Sequence, residues 1–134
     1  MRALLVTINY DDTVEKAAKL MKKYDLGSIL VFDGKKIDAI VTEGDIVQKA
    51  VAAGRLDIPI RKVASRPLLA IRADEDLVNA ARAMAKNDVR RLAVVNGAGK
   101  VVGMISERNI LKISPALYDL IAEREHLREE QNPA

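Results

Sequence analysis

The chain has 134 residues, about half of them apolar, enough for one compact domain or two small halves that share a core. The absence of cysteine excludes disulfides and thiolate metal sites. The formal charge of +3 is spread along the chain rather than blocked, so it permits an anionic ligand without demanding nucleic acid. The opening "MRALLVTINYDD" turns polar too soon for a signal peptide, and no run approaches a membrane span. A soluble, cytoplasmic protein without membrane association is expected.

The elements come twice. A short apolar strand, Leu4–Ile8, leads into the acidic cluster Asp11–Thr13, whose carboxylates can accept free N–H groups of a helix's first turn. In that helix Val14, Ala17, Ala18 and Met21 fall at i, i+3, i+4 and i+7, one buried face. A β-rich run, Ser28–Phe32, the turn "DGKK" and a second run, Ile37–Thr42, read as a hairpin. A short helix, Asp45–Ala53, stops at Gly54. The segment 55–66 is apolar at Leu56, Ile58, Ile60 and Val63, so it is expected to pack rather than float.

The same order then recurs. Strand Leu68–Ile71, cluster Asp74–Asp76, and a helix burying Leu77, Ala80, Ala81 and Met84 are followed by runs Leu92–Val95 and Val101–Ser106 around "NGAGK". A last short helix, Asn109–Ile113, is followed by Pro115. Thr13 falls on Asp76, an offset of 63, and after one extra residue in the turn Thr42 falls on Ser106, an offset of 64. The glycines at 97, 99 and 103 lack the G-x-G-x-x-G spacing and mark a hairpin turn. The tail reads as a further helix with Leu117, Leu120, Ile121 and Leu127 on one side, fraying into charge around His126.

The order β-α-β-β-α, twice, makes an α+β protein. A half of this size buries little alone, so the halves are expected to pair sheet to sheet about a pseudo-two-fold axis. The divisions are 1–54, first repeat; 55–66, linker; 67–115, second repeat; 116–134, terminal helix and tail.

"VTEGDIVQKAVAAG" and "ISERNILKISP" resemble the repeat endings of a tandem pair of CBS domains, the module named after cystathionine β-synthase. There a hydrophobic strand runs into Thr or Ser, two residues, then Asp. The stretch from "ASRPLLAIRADEDL" to "VVGMIS" resembles that family's second repeat almost throughout, with Ala93 where Pro is common and Ala64 where Met is frequent. The resemblance implies a stand-alone regulatory module of prokaryotic type. It would be no enzyme and would bind AMP, ADP, ATP or S-adenosylmethionine in clefts between repeats. It also implies a homodimer that signals to an effector protein the sequence does not name.

Carried over by position, the resemblance implies a first cleft with Thr42 and Asp45, Ile40 lining the base and Gly44 beside them. Leu68 and Leu69 would flank the base, Arg90, Arg91 and Arg108 would face phosphate, and Ala93 would form a wall. The chemistry is apt, because a carboxylate accepts from both ribose hydroxyls and guanidinium forks match phosphate. The compact arginine set favours AMP. A second cleft would use Ser106 and Asn109 against Leu5, Val6, Ser28 and Leu30. There Gly27, Ser28 and Gly44 replace the arginines and an amide replaces the carboxylate, so it is expected to be weak or empty. The alternative reading of Thr42 is a simple helix cap.

Other classes are less well served. Nucleic-acid binding lacks aromatic platforms and a dense basic stripe. A protein-interaction scaffold with unused clefts stays open. No constellation of acid, base and nucleophile points to catalysis, and no metal site is expected.

Overall fold

The computed structural model describes residues 5–66 and 68–116. The chain forms two units, Leu5–Leu68 and a second that begins at Leu69. Each carries one three-stranded sheet and its own helices.

In the first unit β1 (Thr7–Asn9) pairs parallel to β2 (Ser28–Phe32), which pairs antiparallel to β3 (Ile37–Thr42). The parallel pair needs a crossover, and α1 (Val14–Tyr24) supplies it. Thr13 begins α1, its hydroxyl accepting from the Lys16 N–H at 3.2 Å. The cap is therefore a hydroxyl and not one of the expected carboxylates. Asp25 ends the helix at φ 53°, a left-handed conformation that aspartate tolerates better than most residues. At the hairpin Gly34 sits at φ 104°, while Asp33 Oδ1 accepts from the Lys35 and Lys36 N–H groups.

Alternation along the strands gives the sheet two faces. Ile8, Ile29, Val31, Ala39 and Val41 join Val14, Ala17 and Met21 in one buried core. Thr7, Leu30, Ile40, Ser28 and Thr42 occupy the opposite face, paired in register as Thr7 with Leu30, Leu30 with Ile40 and Ser28 with Thr42. After β3 come α2 (Glu43–Ile46) and a π-helical turn, Val47–Val51, two residues earlier than the expected helix start. Gly54, at φ 72°, stops the turn as expected.

The linker belongs to this unit. Its backbone carbonyls at Leu56 and Ile58 accept from Glu15 and Val14, and Ile60 N–H donates to Asp12. Ile58, Ile60, in the 3₁₀ turn Ile60–Lys62, and Val63 are buried in the first core; Leu56 is half exposed. Ser65 closes the segment by exchanging both backbone hydrogen bonds with Ile40.

The second unit repeats the plan. β4 (Ala70–Arg72) pairs parallel to β5 (Arg91–Val95), which pairs antiparallel to β6 (Val101–Ser106). α3 (Leu77–Asn87) is capped by Asp76, and α4 (Glu107–Ile113) follows β6. Ala80, Ala81 and Met84 bury against Leu92, Val94, Ile105 and Ile110, with Leu77 packed at the edge. Both opening strands start later than expected, and the expectations for Leu4, the tail apolar residues and His126 fall outside the described residues.

Of the residues expected on the two buried helix faces, Leu77 is only partly buried and Ala18 is exposed. Ala18 borders a shallow groove of about 410 Å³ between α1 and α2, floored by Met21, Leu26, Ile46 and Val47. The alanine lies on the helical face shared with Met21 and Lys22, at the rim of that groove, where no neighbouring element covers it.

Candidate functional site

The T-x-x-D stretch sits where β3 ends and α2 begins. Thr42 has extended backbone and caps α2: its hydroxyl accepts from the Asp45 N–H at 3.0 Å. Asp45 answers, Oδ2 accepting from the Thr42 N–H at 3.0 Å, which completes a capping box. The simple cap is thus real.

Asp45 does more than cap. It is 8% exposed, and its second oxygen is also engaged. Ser65 Oγ donates to Asp45 Oδ1 at 2.9 Å, and Lys49 Nζ lies 3.0 Å from the same oxygen. Lys49 Nζ also donates to the Val63 carbonyl at 3.1 Å. Burial alone pushes the Asp45 carboxyl up, but the hydrogen bonds from Lys49, the Thr42 N–H and Ser65 outweigh it and hold the group below its ordinary value. It is an ionised carboxylate in a largely buried place.

Around it, Gly44 is exposed, and a Cβ there would stand 3.6 Å from Thr42 Oγ1, an ordinary contact. Ile40 is half-buried and pairs with Leu30 on one side and Ser65 on the other. Ser28, assigned to the second cleft, lies opposite Thr42 and is buried. Val6 accepts from the Leu30 N–H; Leu30 is fully buried, Leu5 is exposed and Leu68 is half-buried.

In the second unit Ser106 and Asn109 build the same capping box. Asn109 Oδ1 accepts from the Ser106 N–H at 2.9 Å, and Ser106 Oγ accepts from the Asn109 N–H at 3.2 Å. Asn109, unlike Asp45, is exposed. Three arginines have their backbone at this corner. Arg91 opens β5 in register with Ser106, the Arg90 carbonyl accepts from the Glu107 N–H at 2.9 Å, and Arg108 stands in the first turn of α4. Arg90 Nε lies 3.8 Å from Glu107 Oε1. Ala93 is buried on β5, and its N–H donates to Leu69.

The assigned residues thus fall into two sets. Ile40, Thr42, Gly44, Asp45 and Leu68 lie in the first unit with Leu5, Val6, Ser28 and Leu30. Leu69, Arg90, Arg91, Ala93, Arg108, Ser106 and Asn109 lie in the second. Sequence reasoning missed Lys49 and Ser65. Lys49 was visible as an i, i+4 partner of Asp45, with Ile113 in its place in the other repeat. Ser65 arrives through tertiary packing and left no signal. Among the described residues no cluster of acidic or histidine side chains could hold a metal ion, and no helix is long and apolar enough to cross a membrane.

Comparison with known proteins agrees with the repeat. The chain is 33% identical over 109 residues to an uncharacterized 17.7 kDa protein of Acidianus ambivalens, covering 81% of this chain and 64% of that one. It is 28% identical over 122 residues to an uncharacterized protein of Methanopyrus kandleri, covering 89% and 62%. The chain therefore spans less than two thirds of either relative. A CBS domain protein from Pyrobaculum aerophilum, solved in complex with AMP, superposes with a TM-score of 0.75 at 26% identity, covering 92% of this chain and 95% of that one. The CBS domain family model matches residues 1–52 and again 60–116, so the chain belongs to the CBS domain family, as a tandem pair.

Proposed function

We propose that this chain is a regulatory module that binds an adenine nucleotide, AMP first, and signals occupancy by a change of conformation or assembly. The observation that carries this reading is Asp45: an ionised, largely buried carboxylate beside the Thr42 hydroxyl, in a family with an AMP-bound relative. In this reading Asp45 accepts from the ribose and Thr42 serves the phosphate side. Ile40, Leu68, Leu69 and Ala93 receive the base. Arg90, Arg91 and Arg108, with Gly44 leaving room, balance the phosphate. Ser106 and Asn109, with Leu5, Val6, Ser28 and Leu30, form a weaker second cleft. Signalling requires the ligand to favour one of two states.

Calorimetric titration tests this. AMP should bind wild type at one strong site per chain, and Asp45→Ala should weaken it roughly tenfold or more, the scale of a hydrogen bond to a charged group. ADP, ATP and S-adenosylmethionine are the comparison ligands. No heat with any adenosine ligand, or equal affinity in the variant, overturns the reading.

A further inference from the structure

The second repeat is an internal control for the first. Asn109 makes the whole capping box with an amide, so the cap does not need a charge at this position. The charge of Asp45 has other partners: Lys49 and Ser65, neither of which the cap requires. Both tie it to the end of the linker, Ser65 directly and Lys49 through the Val63 carbonyl. Where the charge is missing, the lysine is missing too, for Ile113 stands at the position matching Lys49.

The lone pairs of one carboxylate limit what Asp45 can do at once. It offers about four acceptor sites. Three are taken, by the Thr42 N–H, the Ser65 hydroxyl and the Lys49 ammonium. A ribose diol that donates both hydroxyls asks for two more. At least one present donor must therefore leave. The Thr42 N–H is fixed in the backbone of the cap. Lys49 carries the compensating charge and can keep it from a slightly larger distance. The neutral Ser65 hydroxyl is the donor whose loss costs least.

We propose that Asp45 is a latch that fastens the linker end Val63–Ser65 to α2 in the free protein. Lys49 is its positioning residue, and Ser65 is a built-in competitor for the ribose. Ligand binding then loosens the Ile40–Ser65 pairing by taking the serine's place on Oδ1. The competition rests on the nucleotide reading above; the latch does not.

Amide hydrogen exchange separates the two. Without ligand, Asp45→Asn and Ser65→Ala should each speed exchange at the amides of Ile40 and residue 65 several-fold. The Thr42 amide should stay protected, because an amide at 45 keeps the cap. Unchanged exchange at Ile40 and residue 65 overturns the latch, whether or not AMP binds. With saturating AMP, wild type should show the same acceleration, and Ser65→Ala should bind AMP about two- to tenfold more tightly, the worth of one net hydrogen bond. Weaker or equal binding by Ser65→Ala makes the serine a ligand contact or a bystander and overturns the competition. If AMP fails to bind wild type, the nucleotide reading and the competition fall together, and the ligand-free exchange still decides the latch.

Discussion

Lys49 Nζ lies 3.0 Å from Asp45 Oδ1, four residues along the same helical stretch, and the Val63 carbonyl shares its ammonium. The pair is lopsided: the lysine side chain is 45% exposed and the aspartate's only 10%. An ion pair open on one side is worth less than a buried one, but removing the lysine leaves a mostly buried charge with weaker support. Lys49→Met should therefore lower stability by about 1–2 kcal/mol, read by urea denaturation. A loss below the error of the measurement would show that solvent replaces the lysine freely.

The pH dependence follows from the same carboxylate. The folded value of Asp45 is depressed, so its stabilisation is fully present above the unfolded value of about 3.9 and is lost as pH falls through the folded value. Wild type should exceed Asp45→Asn in stability near neutral pH, and the gap should close on acidification below about pH 4. Asp33 and Asp57, also depressed, are present in both proteins and cancel in the comparison. A gap that does not narrow in acid would mean that the charge is not the source of the difference.

The linker supplies core. Ile60 is fully buried with Val63 beside Val14 and Ala17 of α1. Ile60→Ala should cost about 2–4 kcal/mol, the range for truncating a large buried aliphatic side chain. Leu56→Ala, in the same linker but half exposed, should change stability far less. Equal effects of the two in thermal unfolding would contradict this division.

Asymmetry between the repeats has a ligand counterpart. Asn109→Ala should leave AMP affinity within about twofold of wild type by titration, well under the tenfold loss expected at Asp45. Comparable losses at both positions would mean that two clefts share the binding.

The sequence disclosed the order of elements because that order rests on local signals. β2, β3 and β6 have the bounds read from their β-rich runs around a turn, and the i, i+3, i+7 face at Val14, Ala17 and Met21 is buried. The opening strands are three residues each and are defined by pairing with β2 and β5, not by their own composition, so their bounds moved. Ala18 shares the helical period of Val14, but periodicity names a face and not what covers it. At the candidate site the capping box was legible, since both of its members lie three residues apart. The grip of Ser65 on Asp45 spans 20 residues and depends on how the linker returns to β3, which no local pattern encodes.

Because the linker runs past the start of α1 and ends paired to β3, the modular boundary falls near Leu68 and not at the glycine that ends the first helical segment. Anyone grafting this half onto another protein, or expressing it alone, needs to cut after Leu68. A fragment stopped at Gly54 would leave a hydrophobic trough where Ile58, Ile60 and Val63 belong, and would carry Asp45 and Lys49 without the segment they hold.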